Sequence, residues 1–188
     1  MPKTRMSRFA IHDELTAPEA SVPILKGASA AAGQLPNFLG VIAGSPAALR
    51  AYMRFRGELR RGELPAATLE RIAIAVAEHY DSAPGRTLHA RTARQAGVGL
   101  DEIALARNWE SRDPKQASML RYLKPLLTDR AHGPAHLHEE AREAGWSEEE
   151  LLEGIAFVAL ESFTAMVNVA GEIPVDGSVE ETRVLRAA

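Results

Sequence analysis

The chain has 188 residues, a formal net charge of −3 and no cysteine. Its composition, 46% hydrophobic and 25% charged, is that of an ordinary globular protein able to bury one core without staples. The acidic balance gives no electrostatic basis for binding nucleic acid or an anionic membrane, and without a thiol the chain has no reactant for disulfide formation, thiolate metal binding or cysteine redox chemistry. Residues 1–22 read as an arm rich in charges, with Pro18 near its end. Such arms often pack on a neighbouring subunit. No apolar run follows the early basic residues, so the arm is not a signal peptide. Residues 23–188 read as a single domain in which helix signals dominate and strand signals are nearly absent.

Helices are expected over about Val22 to Ala32 and Pro36 to Ala43, and then from Ser45-Pro46, a cap followed by a first-turn proline, to about Arg61. Pro65 opens a helix whose run Ile72, Ala73, Ile74, Ala75, Val76, Ala77 is apolar all round, the mark of a central buried helix. The loop Asp81-Ser82-Ala83-Pro84 ends it, and the next helix runs to Ala96 before Gly97, a suitable left-handed C-terminal residue. A short helix follows Asp101. Asp113-Pro114 starts one reaching about Leu127, and Pro134 starts one that stops at Gly145. Ser147 to Glu150 forms a capping box for the last long helix. Its apolar part, Ile155 to Val169, is interrupted by Glu161, Ser162, Thr164 and Asn168, which makes it too short and too polar to span a bilayer. The expected location is the cytoplasm. Ala93 to Gly97 recurs as Ala141 to Gly145, each before an acidic helix start, which is either a duplication or the recurrence of common stop and start signals. The position equivalent to His89 in the second copy is Leu137.

His89 is the foremost chemical candidate. It shares a helix face with Thr92, Ala93 and Ala96, small residues that suit close packing or a narrow pocket, and an imidazole there titrates in the range useful for proton transfer. The alternative is a hydrogen-bonded core histidine. Glu70 lies one turn into the apolar helix, as a buried carboxylate or as a first-turn acid favoured by the helix dipole. A simple hairpin turning near Ala83 would place Glu70 opposite about Ala96, roughly 10 Å along the axis from His89, so the two meet only through a helix crossing or a water. Ser82 reads as an N-cap, with a nucleophile as the lesser alternative. His79 and Tyr80 close the first helix and face the same loop. His132, His136 and His138 lack the one-face spacing of a metal site and read as a solvated helix start. Glu161 and Asn168, seven apart on the last apolar helix, need partners: the site, each other's neighbours, or a subunit interface.

Glu70, the Asp81–Arg86 loop and His89 together resemble the core motif of the carboxymuconolactone decarboxylase family, which includes the alkyl hydroperoxidase D-like (AhpD-like) proteins. In the redox branch of that family a Glu precedes Cys-x-x-Cys by twelve residues and a His follows it by four. Glu70 and His89 hold those positions here, while Ser82 and Gly85 replace the two cysteines. The resemblance extends over roughly Leu35 to Gly177, including Leu35-Pro36-Asn37-Phe38 and Ser45-Pro46. It implies an all-α, AhpD-like antiparallel helical bundle that associates with itself as a trimer, hexamer or related ring and uses no cofactor or metal. It further implies His89 and Glu70 as the catalytic pair; around the same loop Ser82, His79, Tyr80 and Arg86 are the candidate substrate or pocket residues, with a surface position as the alternative for His79, Tyr80 and Arg86. The expected function is a cofactor-free acid/base enzyme of the decarboxylase or lyase type on a small carboxylated substrate. His89 would be the proton donor and Arg86 or Arg91 the carboxylate clamp. The alternative is a non-catalytic oligomer that binds a small ligand or partner. Thiol peroxidase activity, the family-level label, lacks both of its cysteines. On this reading alanine at position 89 should be tolerated, because the face already carries Ala93 and Ala96.

Overall fold

The computed structural model describes residues 7–32 and 34–177, and among them every regular element is helical. A 3-10 turn at Glu19–Ser21 leads into α1 (Val22–Ala32), α2 (Asn37–Ile42) and α3 (Pro46–Leu59). These are followed by α4 (Ala66–His79), α5 (Ala83–Gln95), α6 (Leu100–Ala106), α7 (Pro114–Leu123), α8 (Pro125–Thr128), α9 (Ala135–Glu143) and α10 (Glu148–Ala170). The expected all-α antiparallel bundle is what forms. One boundary differs. The helix expected from Asp113 to about Leu127 is interrupted at Lys124, because Pro125 supplies no N–H to the helical ladder and its ring crowds the preceding turn.

The apolar run of α4 makes it the centre of the bundle. Ile72, Ala73, Ala75 and Val76 have no exposed surface, and α5 and α10 both pack on this helix. Around it, Leu25, Leu49, Met119, Leu120, Leu123, Trp146, Leu151 and Leu160 complete the main core. Each such aliphatic side chain contributes about 1.5–3 kcal/mol on full burial. A smaller cluster of Ile74, Ala93, Val98, Ile103 and Ala106 joins α4, α5 and α6.

The repeated Ala-Gly stop has one geometry in both places. Gly97 and Gly145 take φ of 82° and 91°, and the next residue returns its N–H to the same position upstream, Val98 to Ala93 and Trp146 to Ala141. The described part of the arm packs on its own chain. Ser7 Oγ and Arg8 N donate to the Gly171 carbonyl at 3.1 and 2.8 Å, and His12 N donates to Gly40 O at 3.1 Å. A side chain on Gly40 would put its Cβ 2.7 Å from Ile11, so the arm's approach requires glycine there. The last helix is longer than its apolar stretch suggested. With 23 residues and a mean hydropathy of 1.4 over its most apolar window, α10 has the length and composition of a membrane span, yet half of that window is buried inside this molecule.

Candidate functional site

The turn between α4 and α5 sets the register of the site. His79 ends α4, Asp81 adopts φ of 55°, and Ser82 caps α5. The hairpin therefore turns about Asp81, not Ala83. Thr92 lies as far beyond Asp81 as Glu70 lies before it, so these two face each other, and His89 sits one turn from Thr92 on the same face. The expected axial mismatch between Glu70 and His89 disappears. Glu70 Oε2 accepts the Thr92 hydroxyl at 2.5 Å and lies 3.0 Å from His89 Nδ1.

A third helix completes the arrangement. α10 runs against both α4 and α5 and brings Glu161 Oε2 to 3.2 Å from His89 Nε2. Glu70, His89 and Glu161 are 8–9% exposed. Each ring nitrogen thus faces a carboxylate oxygen, and only the imidazolium can donate to both. Burial by itself would depress the His89 pKa. The charge and hydrogen bond of Glu161, and then those of Glu70, outweigh it and raise the value from 6.5 to about 9. Burial likewise pushes Glu70 up, but His89 and Thr92 prevail and hold its carboxyl below the ordinary range. Tyr52 is pushed up to about 12, first by burial and then by the negative charge of Glu161, so its phenol stays neutral.

These shifts set a pH window for stability. A histidine pKa raised by folding stabilises fully below its unfolded value of 6.5, and the contribution is lost as pH rises to about 9. The depressed Glu70 pKa stabilises above the ordinary value of 4.5 and is lost as the pH falls below it. Thermal unfolding against pH should therefore show the highest melting temperature near pH 5–6.5 and a progressive fall up to about pH 9. A profile flat from pH 6.5 to 9 would contradict an imidazolium bound between two carboxylates.

The other expected site residues separate. Ser82 is fully buried and caps α5 by accepting from Gly85 N at 3.3 Å, while Asn168 Nδ2 donates to the same oxygen at 3.3 Å. Its polar partners are these and not the His89 ring, so it has no base to activate it as a nucleophile. His79 is exposed because it lies two and a half turns beyond Glu70, on the opposite face of α4. Tyr80 stacks edge-on against His79, at 5.1 Å between rings, and packs on the main core. Arg86 is turned to Asp81 at 2.6 Å and Glu78 at 3.6 Å, so it is not the carboxylate clamp of the His89 site. His79, Tyr80 and Arg86 are therefore removed from the site. His138 packs against the Tyr122 ring.

Glu161 was legible as a polar residue on an apolar helix but not as the second carboxylate on His89, because that contact depends on how α10 crosses the α4–α5 hairpin. Asn168, two turns along the same helix, faces Ser82 instead, and its buried Oδ1 has no hydrogen-bond partner among the described residues.

The segment that carries the Glu70–His89 pair also matches a known family. Residues 46–125 match the carboxymuconolactone decarboxylase family. No curated protein matches the chain in sequence. Among solved structures, the chain is similar to an uncharacterized peroxidase-related protein with an alkylhydroperoxidase AhpD core from Ralstonia eutropha JMP134, with a TM-score of 0.80 at 15% identity over 92% of this chain and 94% of that one. It is also similar to an uncharacterized peroxidase-related protein from Silicibacter sp. TM1040, with a TM-score of 0.79 at 17% identity over 94% and 96%. The debrominase Bmp8 in complex with 2,3,4-tribromopyrrole matches with a TM-score of 0.69 at 18% identity over 88% and 89%. At these identities the likeness establishes an AhpD-like helical fold.

Proposed function

We propose that the protein is a cofactor-free acid/base catalyst of the decarboxylase or lyase type, acting on a small organic substrate. The observation that supports this is the buried His89 ring, held at both nitrogens by carboxylates from two different helices. Such a group stores a proton at neutral pH and can pass it on only through a carboxylate, since neither ring nitrogen is free. The two carboxylates are not equivalent. Glu70 is fixed by Thr92 as well as by His89, whereas the His89 ring is the polar partner of Glu161 among the described residues. Glu161 is accordingly the arm that exchanges the proton with the substrate, His89 the reservoir, and Glu70 with Thr92 the anchor. In a decarboxylation the C–CO2 bond breaks and the electron pair left on carbon takes a proton that has passed from His89 Nε2 to the Glu161 carboxylate; the neutral imidazole and the regenerated carboxylate then recover one proton from solvent.

The carboxylated nature of the substrate rests on the family alone. Arg86 is engaged elsewhere, and two carboxylates around one imidazolium leave the triad with a net negative charge. A relative of this fold is a debrominase crystallised with a brominated pyrrole, which supports a small, flat organic molecule as the substrate class.

The test is Glu161→Gln, assayed by NMR for loss of CO2 from a carboxylated lactone in D2O, with deuterium delivered to the product carbon. Glutamine keeps the shape and removes the exchangeable acid, so turnover should fall about 10²–10⁴-fold. A variant as active as the parent would remove Glu161 from the chemistry. A second reading, a non-catalytic member of the family, is favoured by one observation: the triad is nearly closed to solvent and both ring nitrogens are taken. Solvent deuterium that never enters any substrate would favour that reading.

A further inference from the structure

On the side of α5 away from the triad, the chain carries a groove that the acid/base reading does not use. His89 points inward to α4 and α10. Arg91 and Arg94, two and five positions on, face the other way, toward α6. Between the two helices lies a cleft of about 640 Å³ whose apolar lining includes Ala90, Ile103 and Leu100, the last 68% exposed. Arg107, at the end of α6, adds a third guanidinium, and among the described residues no acidic side chain lines the cleft. Among the described residues neither Arg91 nor Arg94 has a carboxylate within ion-pair reach, and Arg107 meets Glu78 only at 3.9 Å. Three cations thus gather over an apolar floor in a chain whose net charge is −3. Nothing in the packing of α5 on α6 requires this segregation, since the small cluster of Ile74, Ala93, Val98, Ile103 and Ala106 joins the two helices from beneath.

We propose that this α5–α6 groove is a binding site for a small amphipathic carboxylate. The apolar part of the ligand lies on Leu100 and Ile103, and its carboxylate is taken in the two-pronged manner that guanidinium favours. The volume falls within the range of small-molecule sites, about 300–1,000 Å³. The charge pattern selects the head group, because an aliphatic cation of the same length would find the same floor but three like charges above it. The site is independent of the His89 triad, so the two can fail separately.

The test uses the full chain and titrates decanoate below its micelle concentration, by calorimetry and by amide chemical-shift mapping. Decyltrimethylammonium serves as the probe with the same tail and opposite charge. Two variants divide the contributions: Arg94→Ala/Arg107→Ala removes charge, and Ala104→Trp fills the cleft from an exposed position that tolerates a large side chain. Decanoate should bind saturably at one per chain, with shifts centred on residues 90–107. Each variant should weaken it about tenfold or more, and the ammonium should bind at least about tenfold more weakly. Circular dichroism and the melting temperature establish that both variants are folded. If the arginine pair unfolds the chain, Ala104→Trp carries the test alone. Absence of saturable binding, equal affinity for the two head groups, or binding unchanged in Ala104→Trp would overturn the proposal. So would arginine-dependent self-association, seen by light scattering, that excludes decanoate, because it would make the groove an interface between copies.

Discussion

His89→Ala should destabilise the protein by about 3–5 kcal/mol, the cost of breaking a buried ion pair and leaving its charge uncompensated. For a chain of this size that is a fall in melting temperature on the order of 10 °C. The helix-face argument from sequence points to tolerance, since Ala93 and Ala96 share the face, and alanine is indeed a good helix former. That argument omits Glu161. With His89 removed, Glu70 and Glu161 face each other across the space the imidazolium occupied, each 8–9% exposed. Two carboxylates in that position either repel or force one to take a proton. The variant's own stability should accordingly rise in mild acid, and stability should be largely restored when Glu70→Gln and Glu161→Gln are added to His89→Ala, because the triple variant buries no unpaired charge. Differential scanning calorimetry of the single and triple variants at pH 5 and pH 8 measures this. A single variant as stable as the parent at both pH values would mean that the triad does not bridge charges. Because His89 supports both fold and proposed chemistry, activity loss in His89→Ala does not isolate catalysis. Glu161→Gln does so better, since it preserves shape and removes one charge from a pair that remains hydrogen-bonded.

The parts of the molecule readable in the sequence are those governed by local rules. Caps, first-turn prolines and left-handed glycines place Ser45, Ser82, Asp113, Ser147, Gly97 and Gly145 where the backbone needs them. The α4 run declares its own burial, because no arrangement leaves Ile72 to Ala77 both helical and exposed. What was misread depends on a detail of one residue or on long-range placement. The hairpin register turned on whether the chain reverses at Asp81 or at Ala83, and the left-handed Asp81 decides it. A shift of two residues in the centre moves the opposite position by four, from Ala96 to Thr92, and brings His89 within reach of Glu70. Glu161 as the partner of His89 Nε2 is a tertiary fact, set by the crossing of α10 over two earlier helices. The loss of Arg86 from the site is also a matter of competition: Asp81 and Glu78, on its own hairpin, hold its guanidinium.

Introducing thiols at positions 82 and 85 should create a reversible disulfide and, with it, a peroxide-reducing activity. Without a cysteine the parent protein should consume no peroxide with dithiothreitol beyond a heat-killed control. The backbone at these positions nevertheless suits a disulfide. A Cβ placed on Gly85 lies 3.5 Å from Ser82 Cβ, within the range of about 3.5–4.5 Å found across disulfides. The same Cβ would stand 3.0 Å from Ala77 Cβ, so α5 must move outward by a few tenths of an ångström. That is a tolerable change at the first turn of a helix and is offset in the oxidised form by the cross-link. Both sulfurs would sit at the N-terminus of α5, where the helix dipole lowers a thiol pKa and favours the thiolate. In the reaction a thiolate attacks the peroxide O–O bond to give a sulfenic acid and an alcohol, the second thiol condenses with release of water, and dithiothreitol reduces the resulting disulfide. Ser82→Cys/Gly85→Cys should therefore titrate with Ellman's reagent as no free thiol after oxidation and two after reduction, whereas Ser82→Cys alone keeps one thiol throughout. Two free thiols that persist under oxidant in a folded double variant would show that the α4–α5 turn has lost the dithiol geometry along with the cysteines. A disulfide without turnover would show that the buried His89–Glu161 contact, rather than the missing sulfur, keeps peroxide from the site.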